Sequence, residues 1–226
     1  MKYLLISFTI AGILISCNSS ESAKSNATET AVTAAVTEPV LTENTAQFKA
    51  IDSDEALIAT ALMAAPEASR ANCKVIGYNI AGEFVTFKEG SNELIVIADN
   101  PKQKGFNAAC YHKDLEPFMA RGRELKAEGK SGQEIFDIRE EEMKSGKLSI
   151  TPGATLHIYY GPDELYDPAS AKVQHANYRY VVYMPWSTSE STGLPEVPLA
   201  SNHPWIMNPG THRAHIMITP LADESH

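Results

Sequence analysis

Three short apolar runs, Lys74 to Asn79, Glu83 to Lys88 and Glu93 to Ala98, follow one another almost without interruption, and this crowding constrains the fold more than any other feature. Each is too short for a stable helix and carries the β-branched and aromatic residues that suit a pleated, half-buried surface. Ala81-Gly82 and Gly90-Ser91-Asn92 supply the turn chemistry that joins consecutive strands. The expectation is an antiparallel meander, which must bury one face against another layer.

The covering layer is also legible. Ser53 reads as a helix N-cap, with Asp54 and Glu55 placed to favour the helix dipole. Leu57, Ile58, Ala61, Leu62 and Ala65 then fall on one face, and Pro66 limits the element. Leu115, Phe118, Met119, Gly122 and Leu125 mark a second helix that Gly129 ends. Ser131 and Glu134, at capping-box spacing, open a third that runs to Gly146; Glu140 and Lys144 form a surface pair, and Arg139 to Glu142 reads as a solvated face. Asp99 to Ala109 reads as an exposed loop leading to Cys110, and Ser187 to Pro204 as a long surface loop. Ala154 to Tyr160, Tyr178 to Met184 and His212 to Thr219 complete the strands, with turns at Gly161-Pro162-Asp163 and Asp167-Pro168. The sum is a single α+β domain over 53–226, a mostly antiparallel sheet covered by several helices.

Ahead of that domain stands a different kind of sequence. Lys2, an apolar run from Tyr3 to Ile15, and small Ser16 have the anatomy of a secretory signal, because the run falls short of the roughly 20 apolar residues a bilayer needs. Leu14-Ile15-Ser16-Cys17 resembles the lipobox of bacterial lipoproteins, which implies removal of 1–16 and a lipid on Cys17. The alternative is an ordinary cleaved signal beside an incidental cysteine. Asn18 after Cys17 resembles the outer-membrane default of lipoprotein sorting, so the expected location is exported and lipid-anchored to the cell envelope at the outer membrane. From Cys17 to Asp52 the chain is rich in Ser, Thr, Ala, Glu and Asn without periodicity, the composition of a flexible tether. A coil of about 35 residues spans roughly 30 to 35 Å on average.

Composition excludes some partners. A formal net charge of -9, with no run of Lys or Arg, argues against a nucleic-acid surface. The partners expected are the membrane, through the N-terminal lipid, and a small ligand or an envelope protein. Once Cys17 is set aside, Cys73 and Cys110 remain as an even pair in an oxidising compartment, and a disulfide between them is expected. It would close a loop of about 38 residues, worth roughly 4 kcal/mol in the chain-entropy model. Two buried free thiols are the other reading.

No motif for a catalytic residue or a cofactor stands out, and neither cofactor nor metal is expected. The histidines His112, His157, His175, His203, His212, His215 and His226 lack metal-ligand spacing, and His212 and His215, three apart on a presumed strand, would face opposite ways. A metal site from His157, His203 and either His212 or His215 is the weaker alternative. Asp163, Glu164 and Asp167 offer paired carboxylates, although acids beside Gly and Pro also serve turns. The aromatic residues concentrate in the C-terminal half, as Tyr159, Tyr160, Tyr166, Tyr178, Tyr180, Tyr183, Trp186 and Trp205, which suits strand packing. Trp186 and Trp205 border the Pro-rich loop, so Trp186, His203, Trp205 and His215 are the expected ligand contacts. Arg179 and Arg213, alternating with apolar neighbours, suit either an anionic group or an outward strand face. The expected function is a non-catalytic binding or interaction module. The alternative is a hydrolase-type enzyme using His and carboxylate residues near the 187–204 loop.

Glu89-Gly90-Ser91-Asn92 followed by an apolar strand, a loop into Cys110-Tyr111, and a closing Trp205 with Arg213-Ala214-His215-Ile216-Met217-Ile218 give the chain from Ile76 onward a further likeness. It resembles a set of small secreted bacterial proteins of uncharacterised function. The set carries a cysteine in the strand after the Gly-Ser-Asn turn, where this chain has Val96. The resemblance implies an exported fold and no particular reaction, and it marks Trp205 and His215 in its closing segment.

Overall fold

A computed structural model of the chain describes residues 47–221. The signal at 1–16, Cys17 and the expected tether up to residue 46 lie outside the described residues, as does His226. The chain is already paired ahead of Ser53: β1 (Lys49–Ala50) lies antiparallel to β7 (Leu165–Tyr166), and the Ile51 amide donates to the Glu164 carbonyl at 3.0 Å. Helix α1 (Asp54–Leu62) follows, capped by the Ser53 side chain, which accepts from the Ala56 amide. It stops short of Pro66 and passes into a 3-10 segment at Glu67–Asn72.

The main sheet has eight strands: β2 (Lys74–Tyr78), β3 (Phe84–Lys88), β4 (Leu94–Ile97), β5 (Phe106–His112), β6 (Thr155–Gly161), β8 (Asn177–Tyr183), β9 (Trp205–Met207) and β10 (His215–Ile218). Their order across the sheet is β3-β2-β4-β5-β6-β8-β10-β9, and only the β2–β4 pair is parallel. The fold is therefore α+β with a mostly antiparallel sheet.

The expected meander is corrected by that parallel pair. β3 turns back along one side of β2, and the chain then crosses under the start of β2 to lay β4 along its other side. Burial explains the choice. Val75 and Val96 are fully buried and need neighbours on both flanks, whereas Phe84 and Thr86 on β3 stay exposed, as an edge strand permits. The crossing is close: the amides of Ser91 and Asn92 both donate to the Asn72 carbonyl, at 2.9 and 3.1 Å. Gly90 makes it possible, since a Cβ there would sit 2.2 Å from the Lys74 amide nitrogen and 2.8 Å from the Asn72 carbonyl oxygen.

A second correction concerns Asp99 to Ala109. Its last four residues belong to β5, an inner strand, and only the part before Phe106 is a loop. Asn107, Ala108 and Ala109 carry little strand preference of their own. They are held because both faces of β5 are covered: Ala108 and Cys110 lie in one core, Ala109 and Tyr111 in the other. Strand alternation separates the two. Leu57 and Ala61 of α1 pack with Val75, Val96, Cys110 and Tyr159 on one face. Phe118 and Leu115, at and just before α2 (Glu116–Ala127), pack with Tyr111, Leu156, Val181 and Tyr183 on the other.

Helix α3 (Gly132–Lys144) has the expected capping box from Ser131 and Glu134 and the expected Glu140–Lys144 pair at 2.8 Å. Its 139–142 segment is not a solvated face, however. Arg139 and Glu142 are buried, because one side of α3 packs against α2 and the turn before β10: Arg139 donates to the Phe118 carbonyl, and Glu142 accepts from Arg121. The 187–204 loop contains one short helix, α4 (Ser189–Thr192), and leads into β9, a strand the composition of that segment hides.

Candidate functional site

A concave surface lies on the α1 side of the sheet among the described residues. Two cavities, of about 440 and 610 Å3, share Met63, Glu67, Arg70 and Tyr178 in their walls and so adjoin as one groove. The turn after α1 makes one wall and strands β6 and β8 make the other.

Each wall follows from local chemistry. A helix ends with carbonyls that have no partner inside the helix. Near the end of α1, which has no basic residue in its last turn, Arg70 reaches back from the 3-10 segment to the carbonyls of Ala65 at 3.1 Å and Met63 at 3.5 Å. The Tyr178 hydroxyl donates to that same Met63 carbonyl at 3.2 Å, which ties the helical wall to the sheet. On the sheet the antiparallel register sets His157 opposite Tyr180 and Tyr159 opposite Tyr178. Residues opposite each other share a face, so the four rings form a ladder. Tyr159 and Tyr178 stack at 4.7 Å, Tyr178 and Tyr180 lie near-parallel at 6.4 Å, and His157 meets Tyr180 edge-on at 5.0 Å.

Burial grades the ladder. Tyr159 is in the core, its hydroxyl accepting from the Val173 amide at 2.9 Å, whereas His157, Tyr178 and Tyr180 are half-buried and offer ring surface to the groove. Burial pushes the Tyr178 phenol up to about 12 and holds His157 below the usual histidine range. At neutral pH Tyr178 and His157 are therefore uncharged. Glu67 and Arg70 bring one charge of each sign to the rim they share, and Lys172 stands further along.

The four expected ligand contacts lie elsewhere, and neither cavity is lined by any of them. Trp186 sits in a left-handed turn after β8 (φ +68°), anchored through its amide to the Thr211 carbonyl, with its side chain exposed. His203 is half-buried in the loop before β9, and its Nδ1 is buried without a hydrogen-bond partner. Trp205 on β9 pairs with Met217 and packs on the core beneath α2. His215 is buried on β10, its Nδ1 2.7 Å from the Arg213 carbonyl and its ring against Tyr183. The register brings Trp205 and His215 to one face, two residues apart along β10, and leaves Trp186 on a turn beyond it.

The other candidates have local roles. Asp163 pairs with His175 at 2.7 Å, Glu164 accepts from the Gly105 amide at 2.8 Å, and Asp167 accepts from the Ala169 amide and the Ser170 hydroxyl. Among the described residues, no three His, Cys, Asp or Glu side chains converge as a metal site. His212 is fully buried in the turn before β10, not on a strand. Arg179 donates to the Tyr160 hydroxyl at 2.9 Å with its guanidinium over that ring. Cys73 and Cys110 are free thiols in the structure, so the expected disulfide is not formed there. Both are buried and adjacent: burial and then the neighbouring Cys73 push Cys110 up to about 12, while the Cys73 thiol donates to the Ser69 carbonyl at 3.2 Å.

Arg70 and Glu67 carried no signal of their own in the sequence, since a single Arg after a helix is ordinary. The ring ladder left a trace in the alternation of His157 with Tyr159 and of Tyr178 with Tyr180, but only the register shows that the two pairs meet. Comparison with known proteins finds no family model, no curated protein and no solved structure that matches this chain.

Proposed function

We propose that the chain is a cell-envelope lipoprotein whose folded domain is a non-catalytic binding module, with the groove beside α1 as its seat. The observation that carries the binding reading is the ring ladder facing a groove whose rim holds Arg70 and Glu67. Half-buried rings present flat apolar area at little entropic cost, and a few placed polar groups fix orientation. A ligand that matches has flat apolar faces edged with hydroxyl and amide groups, as an N-acetylated sugar has. The hydrolase alternative is not carried forward, because no observation favours it over binding: Asp163 is paired with His175, Glu164 accepts from the Gly105 amide, and Glu196 in the 187–204 loop accepts from the Ser189 hydroxyl.

Calorimetric titration of the N-acetylglucosamine trisaccharide into the purified protein tests the seat. Binding is expected, and Tyr180→Ala should weaken it about tenfold or more, the usual cost of removing a central aromatic contact. Affinity unchanged in that variant, or no binding by the parent protein, would contradict the reading. The anchor is supported by the sequence from Lys2 to Cys17. Cys17→Ser is expected to shift the protein from the membrane fraction to the soluble fraction, and membrane retention would refute the lipid.

A further inference from the structure

The two cavities of the groove differ in chemistry. The smaller, of about 440 Å3, is lined by His157 and Tyr180 and has no charged wall beyond the shared Glu67 and Arg70. The larger, of about 610 Å3, adds Lys172 together with the polar Ser170 and Asn177. Tyr178 stands in both. A ligand that lies on the rings and passes Arg70 therefore enters a second chamber with two positive side chains against one carboxylate. In a chain of net charge -9, a cavity with a positive surplus points to an anionic ligand.

Both positive groups have donors to give. Arg70 stands three residues after Glu67 in the same 3-10 segment, yet its Nε and Nη2 donate to the Ala65 and Met63 carbonyls instead. A guanidinium carries five N–H donors, so three are left. Its charge is felt inside the groove: burial pushes the phenols of Tyr159 and Tyr178 up, and Arg70 opposes that rise in both. Lys172 is exposed, and the Asp167 carboxylate near it accepts from the Ser170 hydroxyl at 2.7 Å and the Ala169 amide at 3.0 Å. Among the described residues neither Arg70 nor Lys172 forms an ion pair.

The size of the surplus selects the anion. A net single positive charge matches a carboxylate, which a guanidinium fork also fits in shape. A phosphate monoester would bring a charge of about -1.5 to -2 against the same Glu67. Resting on the reading of this groove as the seat of binding, we propose that its ligand is an acidic oligosaccharide. An N-acetylated sugar lies on Tyr178 and Tyr180, and a neighbouring sugar carries a carboxylate into the larger cavity, toward Arg70 and Lys172.

Calorimetric titration of the detergent-solubilised full chain tests this with the hyaluronan tetrasaccharide, in which N-acetylglucosamine alternates with glucuronic acid, and with its methyl ester. The ester keeps the rings and removes the charge. The acid should bind about tenfold or more tightly than the ester, the weight of one hydrogen bond between charged groups, and the gap should narrow as salt is raised. Lys172→Gln should weaken binding of the acid about two- to fivefold, and Glu67→Gln should strengthen it by a similar factor. The ester should respond to neither. Both positions are exposed, so both variants should keep the parent melting transition. Equal affinities for acid and ester, no binding of the acid, or acid binding unmoved by both substitutions would overturn the carboxylate site. The N-acetylglucosamine trisaccharide shows separately whether the groove still seats a neutral sugar.

Discussion

Phe118→Ala is expected to cost about 3–5 kcal/mol of folding stability, the range for deleting a buried aromatic ring. Phe118 is 1% exposed and stands where α2 meets the sheet, in edge contact with Tyr183 at 6.0 Å and with the Arg139 guanidinium on its face. The substitution opens a cavity and strips the guanidinium of its aromatic partner at once. For a domain of this size the midpoint of thermal unfolding should fall by roughly 6–20 °C, at 2–4 °C for each kcal/mol. Trp205→Ala provides the contrast. Trp205 is half-buried on an edge strand, so its loss should fall below that range. Urea unfolding of the two variants checks the order, and a larger loss at Trp205 would place the weight of the core at the wrong edge of the sheet.

Gly90→Ala is expected to be nearly as damaging although it removes nothing. The new methyl would meet the Lys74 nitrogen at 2.2 Å, the Cys73 carbonyl carbon at 2.6 Å and the Asn72 oxygen at 2.8 Å, all backbone atoms that cannot swing aside. Relief requires moving the chain where it crosses under β2, which would also loosen the amides of Ser91 and Asn92 from the Asn72 carbonyl. The cost should reach the upper end for overpacking, about 3 kcal/mol. Gly132→Ala is the matched control, since a Cβ there meets nothing within 4 Å. Equal unfolding midpoints for the two alanine variants would show that the crossing yields easily.

These two positions also show what the sequence reveals and what it conceals. Helix starts are local events, and Ser53 and Ser131 announce them because each cap is made within three residues. Strand positions are nearly as plain wherever β-branched residues crowd together, as from Lys74 to Ala98. Sheet order is not local. That β4 pairs parallel with β2 depends on a contact between Gly90 and residues 72–74 that no periodicity encodes. β5 was concealed for a related reason: Asn107, Ala108 and Ala109 take strand geometry from neighbours on both sides, not from their own preference. Arg139 and Glu142 look solvated because charge usually is, and only the docking of α3 buries them.

The groove beside α1 follows the same division. Its aromatic residues are visible as composition, but the ladder exists only once β6 and β8 are placed in register, and its polar rim comes from Arg70 satisfying the exposed end of α1. Trp186 and Trp205 attracted attention by size and by the loop between them. Trp205 instead packs on the core beneath α2, and Trp186 projects from a left-handed turn.

Amide chemical-shift mapping of the 15N-labelled protein during titration with the N-acetylglucosamine trisaccharide tests the seat of binding most directly. The account predicts that the perturbed amides cluster at Met63 to Arg70 and at His157, Tyr178 and Tyr180, on the two walls of the groove. Perturbations centred on Trp186, His203, Trp205 and His215, with the walls of the groove silent, would contradict it.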